Sequence, residues 1–128
     1  MTIVPRVYEF VENDKFNFIV MELLGKNIAN LKKTMGLEFN NVLVYDILLQ
    51  MLTCIENVHS KGYIHRDIKP SNFVICPKEK KVYIIDFGLA KLHLNKMGEP
   101  NPERKNADFR GTIAFASMNA HNRLVFIN

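Results

Sequence analysis

Apolar positions along the chain fall into two strand-like alternations, two helical stripes and then two short runs around a polar turn. Arg6 to Glu12 and Phe16 to Leu24 read as strands. Between them Asn13-Asp14-Lys15 is a polar turn of the kind that joins antiparallel neighbours. Gly25 ends that pattern, and Asn27 to Met35 reads as a short amphipathic helix. Ile28, Leu31 and Met35 share one face of it, with Lys32 and Lys33 outside. The strongest helix runs from about Asn41 to Lys61, where Val44, Ile47, Leu48, Met51, Leu52, Ile55 and Val58 make one broad stripe. Asn40 or Asn41 can cap its start, and Gly62 suits the left-handed position just past its end. A stripe this wide needs partners on more than one side. Tyr63 to Asn72 is dense in polar groups. Phe73 to Cys76 and Val82 to Ile85 then read as strands around a turn at Pro77-Lys78-Glu79-Lys80-Lys81. From Asp86 onward the chain reads as mostly irregular, with Gly98, Pro100 and Pro102.

Composition narrows the class without choosing a function. With 128 residues, 48% hydrophobic and 23% charged, the chain has the length and balance of one globular domain. The formal charge of +4 is densest at Lys78, Lys80 and Lys81 and at Arg104-Lys105, with no aromatic residues interleaved. Such runs read as solvated loops, so nucleic acid is not an expected partner. Cys54 and Cys76 have neither metal-ligand nor disulfide spacing, and each sits in an apolar segment as an expected buried thiol. The N-terminus has no secretory pattern. The apolar run Ile47 to Ile55 is interrupted by Gln50 and is too short for a bilayer. No membrane association and a cytoplasmic or nuclear location are therefore expected.

The chemistry lies in His65-Arg66-Asp67-Ile68-Lys69-Pro70-Ser71-Asn72, followed fourteen residues after Asn72 by Asp86-Phe87-Gly88. Alone, Asp67 or Lys69 reads as a surface charge, Asn72 as a turn residue and Asp86-Phe87-Gly88 as the exit from a strand. Together, in this order and bracketing a hairpin, they resemble the signature pair of the protein kinases. Phosphoryl transfer asks mainly for positioning and charge neutralisation, and this spacing supplies both. The resemblance implies ATP and Mg2+ as cofactors and a protein Ser/Thr as substrate. It makes Asp67 the acceptor of the substrate hydroxyl's proton and Lys69 a contact to the transferred phosphate. Asn72 and Asp86 would hold magnesium, and Thr112, after Gly111, would bridge Asp67 and Lys69. Arg66 would pair with the segment beyond the metal loop, and His65 and Phe87 would pack.

Phe18 to Gly25 and Val82 to Lys91 resemble casein kinase I relatives, and Phe109 to His121 resembles the tau-tubulin kinase branch of that group. By that likeness Met21 is the gatekeeper, and the backbone of Glu22 and Leu24 would bond adenine. Asn27 and Asn30 would lie near the ribose, and Val74 and Ile85 would floor the pocket. Ala114 stands where the family usually has an arginine, which weakens the expectation of acidic or pre-phosphorylated substrates. Between Gly88 and Arg110 there is no serine, threonine or tyrosine, so no phosphosite there can act as a switch.

The resemblance covers about Val4 to His121. It implies an α+β fold in part: residues 1–25 as the end of a small lobe and hinge, 26–122 as the first part of a large lobe, and 123–128 as an unmatched tail. No GxGxxG motif occurs in the sequence. The function implied is that of a casein kinase I-like serine/threonine kinase carried on a truncated domain. By themselves the 128 residues are expected to be marginally stable and to show no measurable phosphotransfer. The alternative is a catalytically inactive fragment, either a truncated gene product or a kinase-like interaction module.

Overall fold

Asn13 makes the first reversal, because its side-chain carbonyl accepts the N–H groups of Lys15 at 2.9 Å and Phe16 at 3.1 Å. Around it β1 (Val7–Glu12) and β2 (Asn17–Met21) pair antiparallel, with Phe10 opposite Ile19 and a bulge between Val7 and Glu9. In the computed structural model, residues 3–35, 40–102, 104–105, 108–122 and 124–125 are described. Both strands are shorter than their apolar alternation predicts. Beyond Met21 the chain leaves the hairpin and runs alongside another, through Gly25 N–H to Ile75 O and Ile75 N–H to Lys26 O. A side chain at Gly25 would collide with the Ile75 carbonyl, so this close approach needs glycine.

α1 (Ile28–Met35) is capped by Asn27, whose Oδ1 accepts the Asn30 N–H at 2.8 Å. The side chains of Lys32 and Met35 lie outside the described residues, so the expected apolar face of α1 rests there on Ile28 and Leu31. α2 (Asn41–Ser60) is capped by Asn40, which accepts the Leu43 N–H at 2.8 Å, and the chain turns after it at Gly62, φ +81°. β3 (Tyr63–Ile64) follows, then a hairpin of β4 (Phe73–Cys76) and β5 (Lys81–Ile84) in which Phe73 faces Ile84.

The core lies between α2 and this hairpin. Cys54, Val58, Phe73, Val82 and Ile84 are buried together with Ile3, and Met51, Ile55 and Ile68 pack against them. Two polar contacts tie the helix to β5: Gln50 Oε1 accepts the Val82 N–H at 2.9 Å, and the Cys54 thiol donates to the Val82 carbonyl at 3.4 Å. Both cysteines are free and buried, as their apolar settings predict. Burial pushes the Cys54 thiol up to about 11.

The broad stripe of α2 is only half covered. Ile47 and Val58 are buried, but Leu48 is 47% and Leu52 63% exposed, with Tyr45 and Leu49 beside them on the open side. The predicted stripe mixes two faces, and the face toward β5 centres instead on Ile47, Cys54 and Val58. By length and composition α2 is also apolar enough to cross a membrane, contrary to the reading of its shorter apolar run. Its buried face is nevertheless packed on the protein's own hairpin.

Beyond Asp86 the chain is more regular than predicted. β6 (Lys91–Leu92) pairs antiparallel with β3, and β7 (Arg104–Lys105) pairs with β8 (Leu124–Val125), on either side of the four-residue α3 (Met118–His121). The unmatched apolar tail is thus paired in part, while Phe126 and Ile127 lie outside the described residues. The architecture is α+β, as expected of part of a kinase-like fold.

Candidate active site

β3 delivers the polar loop to the end of the β4–β5 hairpin, and backbone geometry then fixes it. Arg66 and Asp86 both hold positive φ, +68° and +65°. That conformation costs a non-glycine residue roughly 1–2 kcal/mol, so surrounding bonds must hold it. For Arg66 the hold is its own side chain, whose Nε donates to the Leu89 carbonyl just past Asp86-Phe87-Gly88. For Asp86 it is Oδ1 accepting the Gly88 N–H at 3.4 Å. His65 is buried and connects the two loops: Nε2 donates to Ile85 O at 2.9 Å, and Nδ1 accepts the Asp67 N–H at 3.3 Å. Its ring lies 5.0 Å from that of Phe87. His65 packs as expected, while Phe87 keeps its ring against His65 but is partly open to solvent.

Asp67 is the hub. Its Oδ1 accepts the Thr112 hydroxyl at 2.7 Å, and its Oδ2 faces the Lys69 ammonium at 2.6 Å. Lys69 also donates to Thr112 Oγ1 at 3.0 Å, which closes a three-membered ring of polar groups. Asn72, buried, donates from Nδ2 to the Asp67 carbonyl at 2.8 Å and to Oδ2 at 3.3 Å. Thr112 can reach so far because Gly111 runs directly over the loop. A side chain there would lie 2.5 Å from the Arg66 carbonyl, and its φ of +111° favours glycine as well.

These donors shift the titration of Asp67. The Lys69 hydrogen bond, partly opposed by burial, holds the carboxyl below its ordinary range, with Thr112 and Asn72 adding to the effect. A depressed carboxylate contributes stability that is complete above its unfolded value, near about pH 4, and is lost as pH falls through the lower folded value. Lys69→Met is expected to move the Asp67 titration upward, back to or above the ordinary carboxylate value. Carbon-13 NMR of the carboxyl checks this, and an unmoved titration would remove Lys69 as the cause.

The hairpin register brings Asn72 beside Ile85, the residue before Asp86. Phe73 faces Ile84, so the residues just outside that pair meet, and Ile85 N–H donates to Asn72 O at 2.9 Å. The donor set suits a hard cation. Among the described residues Asn72 uses Nδ2 for its side-chain bonds and so leaves its amide oxygen, and the Asp86 carboxylate accepts the Gly88 N–H. An amide oxygen and a carboxylate fit magnesium that takes its other ligands from phosphate and water. Among the described residues there is no cluster of three or more His, Cys, Asp or Glu for a different metal.

The residues expected at the nucleotide are only partly assembled. Leu24, Val74 and Ile85 share a second apolar cluster with Cys76 and Tyr83. Asn27 bridges to Val74 through the backbone, while its side-chain oxygen is used in capping α1 beside Asn30. The Glu22 N–H donates to Arg6 O at 2.8 Å and is therefore already used within the hairpin. Met21 ends β2 with its side chain exposed. Sequence reasoning did not single out the Ile85 carbonyl or Gly25 as site elements. Both act through backbone, for which residue type carries no signal beyond the glycine itself.

The family model for the protein kinase domain matches residues 1–118. A protein of Dictyostelium discoideum named as a serine/threonine-protein kinase is 40% identical over 91% of this chain and 25% of its own length. A protein of Caenorhabditis elegans named as a casein kinase I is 35% identical over 96% of this chain and 37% of its own. A casein kinase I homologue of Encephalitozoon cuniculi is 38% identical over 91% and 40%. The chain thus spans between 25% and 40% of the length of these relatives.

Proposed function

The chain belongs to the protein kinase domain family, and from that premise we propose that its residues transfer the γ-phosphate of ATP to serine or threonine of a protein. The supporting observation is the ring Asp67–Lys69–Thr112 with Asn72 bonded beneath it. In this reading Oδ2 of Asp67 orients the attacking hydroxyl and takes its proton, and Lys69 neutralises charge on the transferred phosphoryl group. Thr112 keeps both side chains in register. Asn72 and Asp86 would hold magnesium, which would supply charge neutralisation at the phosphates. Leu24, Val74 and Ile85 offer the apolar surface for adenine, with Met21 as gatekeeper and the Glu22 and Leu24 backbone as its hydrogen-bonding edge. Asn27 and Asn30 lie toward the ribose.

The group we assign is casein kinase I. Its support is the likeness to relatives so named, and the Phe109 to His121 stretch favours the tau-tubulin branch. Ala114 argues against strict dependence on an acidic or phosphorylated substrate. A cytoplasmic or nuclear site of action fits the free thiols Cys54 and Cys76.

A second reading, nucleotide or partner binding without catalysis, is favoured by the open face of α2 and the exposed β1–β2 hairpin. One experiment separates the two. Because the 128 residues by themselves are expected to show no measurable transfer, they are placed in a complete kinase domain. Transfer of labelled γ-phosphate to casein is then measured with magnesium and with EDTA, beside the melting shift caused by ATP and magnesium. Expected is magnesium-dependent labelling that falls at least about a hundredfold in Asp86→Asn, as for loss of a charge-neutralising group. Labelling that ignores EDTA or survives Asp86→Asn overturns the magnesium assignment. A melting shift without any labelling makes the second reading the correct one.

A further inference from the structure

We propose that His59 and His93 form a proton-sensitive latch, in which charging either imidazole releases β6, the strand leaving the metal loop, from β3, the strand leading into the catalytic loop. His59 lies in the last turn of α2 and His93 directly follows β6. Their rings meet edge to face, 6.2 Å apart at 68°. The backbone around them is tightly bonded: His93 N–H donates to Gly62 O at 2.8 Å, Gly62 N–H to His59 O at 2.8 Å, and Asn101 N–H to His93 O at 2.7 Å. Tyr63 faces Leu92 and Ile64 faces Lys91 in the short ladder next to this knot.

The side-chain chemistry contrasts with that backbone. Among the described residues neither ring nitrogen of His93 has a hydrogen-bond partner, and both are shut off from solvent. A neutral imidazole can persist in such a place. An imidazolium has two N–H donors and a charge to satisfy, so it must reach water. Reaching water means swinging His93 away from α2. A charge on His59, which is half-buried, meets the second imidazole.

The titratable residues of the surrounding elements are Glu56 and Lys61 at the end of α2 and Tyr63 on β3. Lys91 lies on β6, and Lys96 and Glu99 on the turn beyond it. Glu99 accepts from Asn95 Nδ2 at 3.0 Å within that turn. Among the described groups it is His93 that acts electrostatically on His59, and it disfavours the charge. The carbonyl end of α2 pulls the other way. Burial and His93 outweigh it and hold His59 below the ordinary histidine value. The latch is therefore at full strength above about pH 6.5, where both states are neutral. It weakens as pH falls below that value, because the released form takes the proton first.

The position gives the device its reach. β6 starts two residues beyond Leu89, whose carbonyl holds Arg66, and β3 runs directly into His65. Releasing one strand from the other slackens the Asp67 loop and the Asp86 loop together. The latch rests on this geometry alone, and its effect on phosphotransfer rests also on the kinase reading.

The test reads the latch without activity. Amide hydrogen exchange of His93 is followed by NMR from about pH 7.5 to about pH 5 as a protection factor, with Ile84, whose N–H donates to Ile3 O, as internal reference. His93 protection is expected to be flat above about pH 6.5. Below that it should fall by up to about tenfold per pH unit as His59 charges, while Ile84 stays constant. In His93→Phe and in His59→Gln the slope flattens. A flat profile in the native chain, a fall shared equally by Ile84, or an undiminished slope in both variants overturns the latch. Should neither variant fold, the native ratio of His93 to Ile84 protection decides by itself.

Discussion

In a complete kinase domain that carries these residues, Asp67→Asn is expected to leave the fold nearly unchanged and to lower phosphotransfer by about 10²–10⁴-fold, the usual contribution of a positioned general base. The two oxygens of Asp67 face different partners. Oδ2 meets two donors, Lys69 Nζ and Asn72 Nδ2, while Oδ1 meets a hydroxyl that can donate or accept. An asparagine would therefore place its carbonyl at the Oδ2 position and its NH2 toward Thr112. The hydrogen-bonded ring survives in that arrangement, but the oxygen that takes a proton is now an amide, far too weak a base. The shape stays and the chemistry goes. Steady-state labelling of casein beside thermal melting checks both halves. Activity within about tenfold of native, with an unchanged melt, would take the proton-accepting role away from Asp67.

Phe73→Ala is expected to cost about 3–5 kcal/mol, the range for emptying an aromatic site in a packed core. Phe73 has no exposed surface, faces Ile84 across the hairpin, and lies in the cluster under α2. Complete domains hold only about 5–15 kcal/mol in total, and here Leu48, Leu49 and Leu52 already face outward. The variant should thus be largely unfolded at room temperature. Because Asn72 is the preceding residue, any folded remainder should also lose the Asn72–Asp67 bonds. Urea unfolding followed by circular dichroism measures the loss. A change under about 1 kcal/mol with an unaltered slope would mean that the core is not centred on Phe73.

What was legible in the sequence was what neighbours along the chain decide. Asn13 and Asn40 each bond a backbone N–H two or three residues ahead, whereas Asn27, which also does so, was read as the first residue of its helix rather than its cap. The turn at Asn13 and the cap at Asn40 therefore follow from residue type and position. The β4–β5 hairpin was readable for the same reason, and with it the approach of Asn72 to Ile85. Its register needs only two apolar runs and a polar turn of known length.

Separation along the chain marks where that legibility ends. β3 and β6 are two residues each, and their ladder joins Tyr63 to Leu92 and Ile64 to Lys91 with the whole β4–β5 hairpin in between. Strands this short carry no alternation of their own, so only the folded chain makes them visible. Leu48 and Leu52 belong to the same helical stripe as Ile47 and Val58, yet they face out. Period alone cannot say which part of a wide stripe meets β5.

By itself, then, the sequence determined the local elements and the chemical identity of Asp67, Lys69, Asn72, Asp86 and Thr112. The likeness to the kinases already implied that Thr112 reaches Asp67 across 45 positions, whereas only the tertiary structure decided that Gly111 passes over the Arg66 carbonyl and that His93 comes to rest on His59. The physical reason is distance along the chain. Contacts between near neighbours are fixed by backbone geometry and residue type, whereas those between remote segments exist only once packing has brought both into one place.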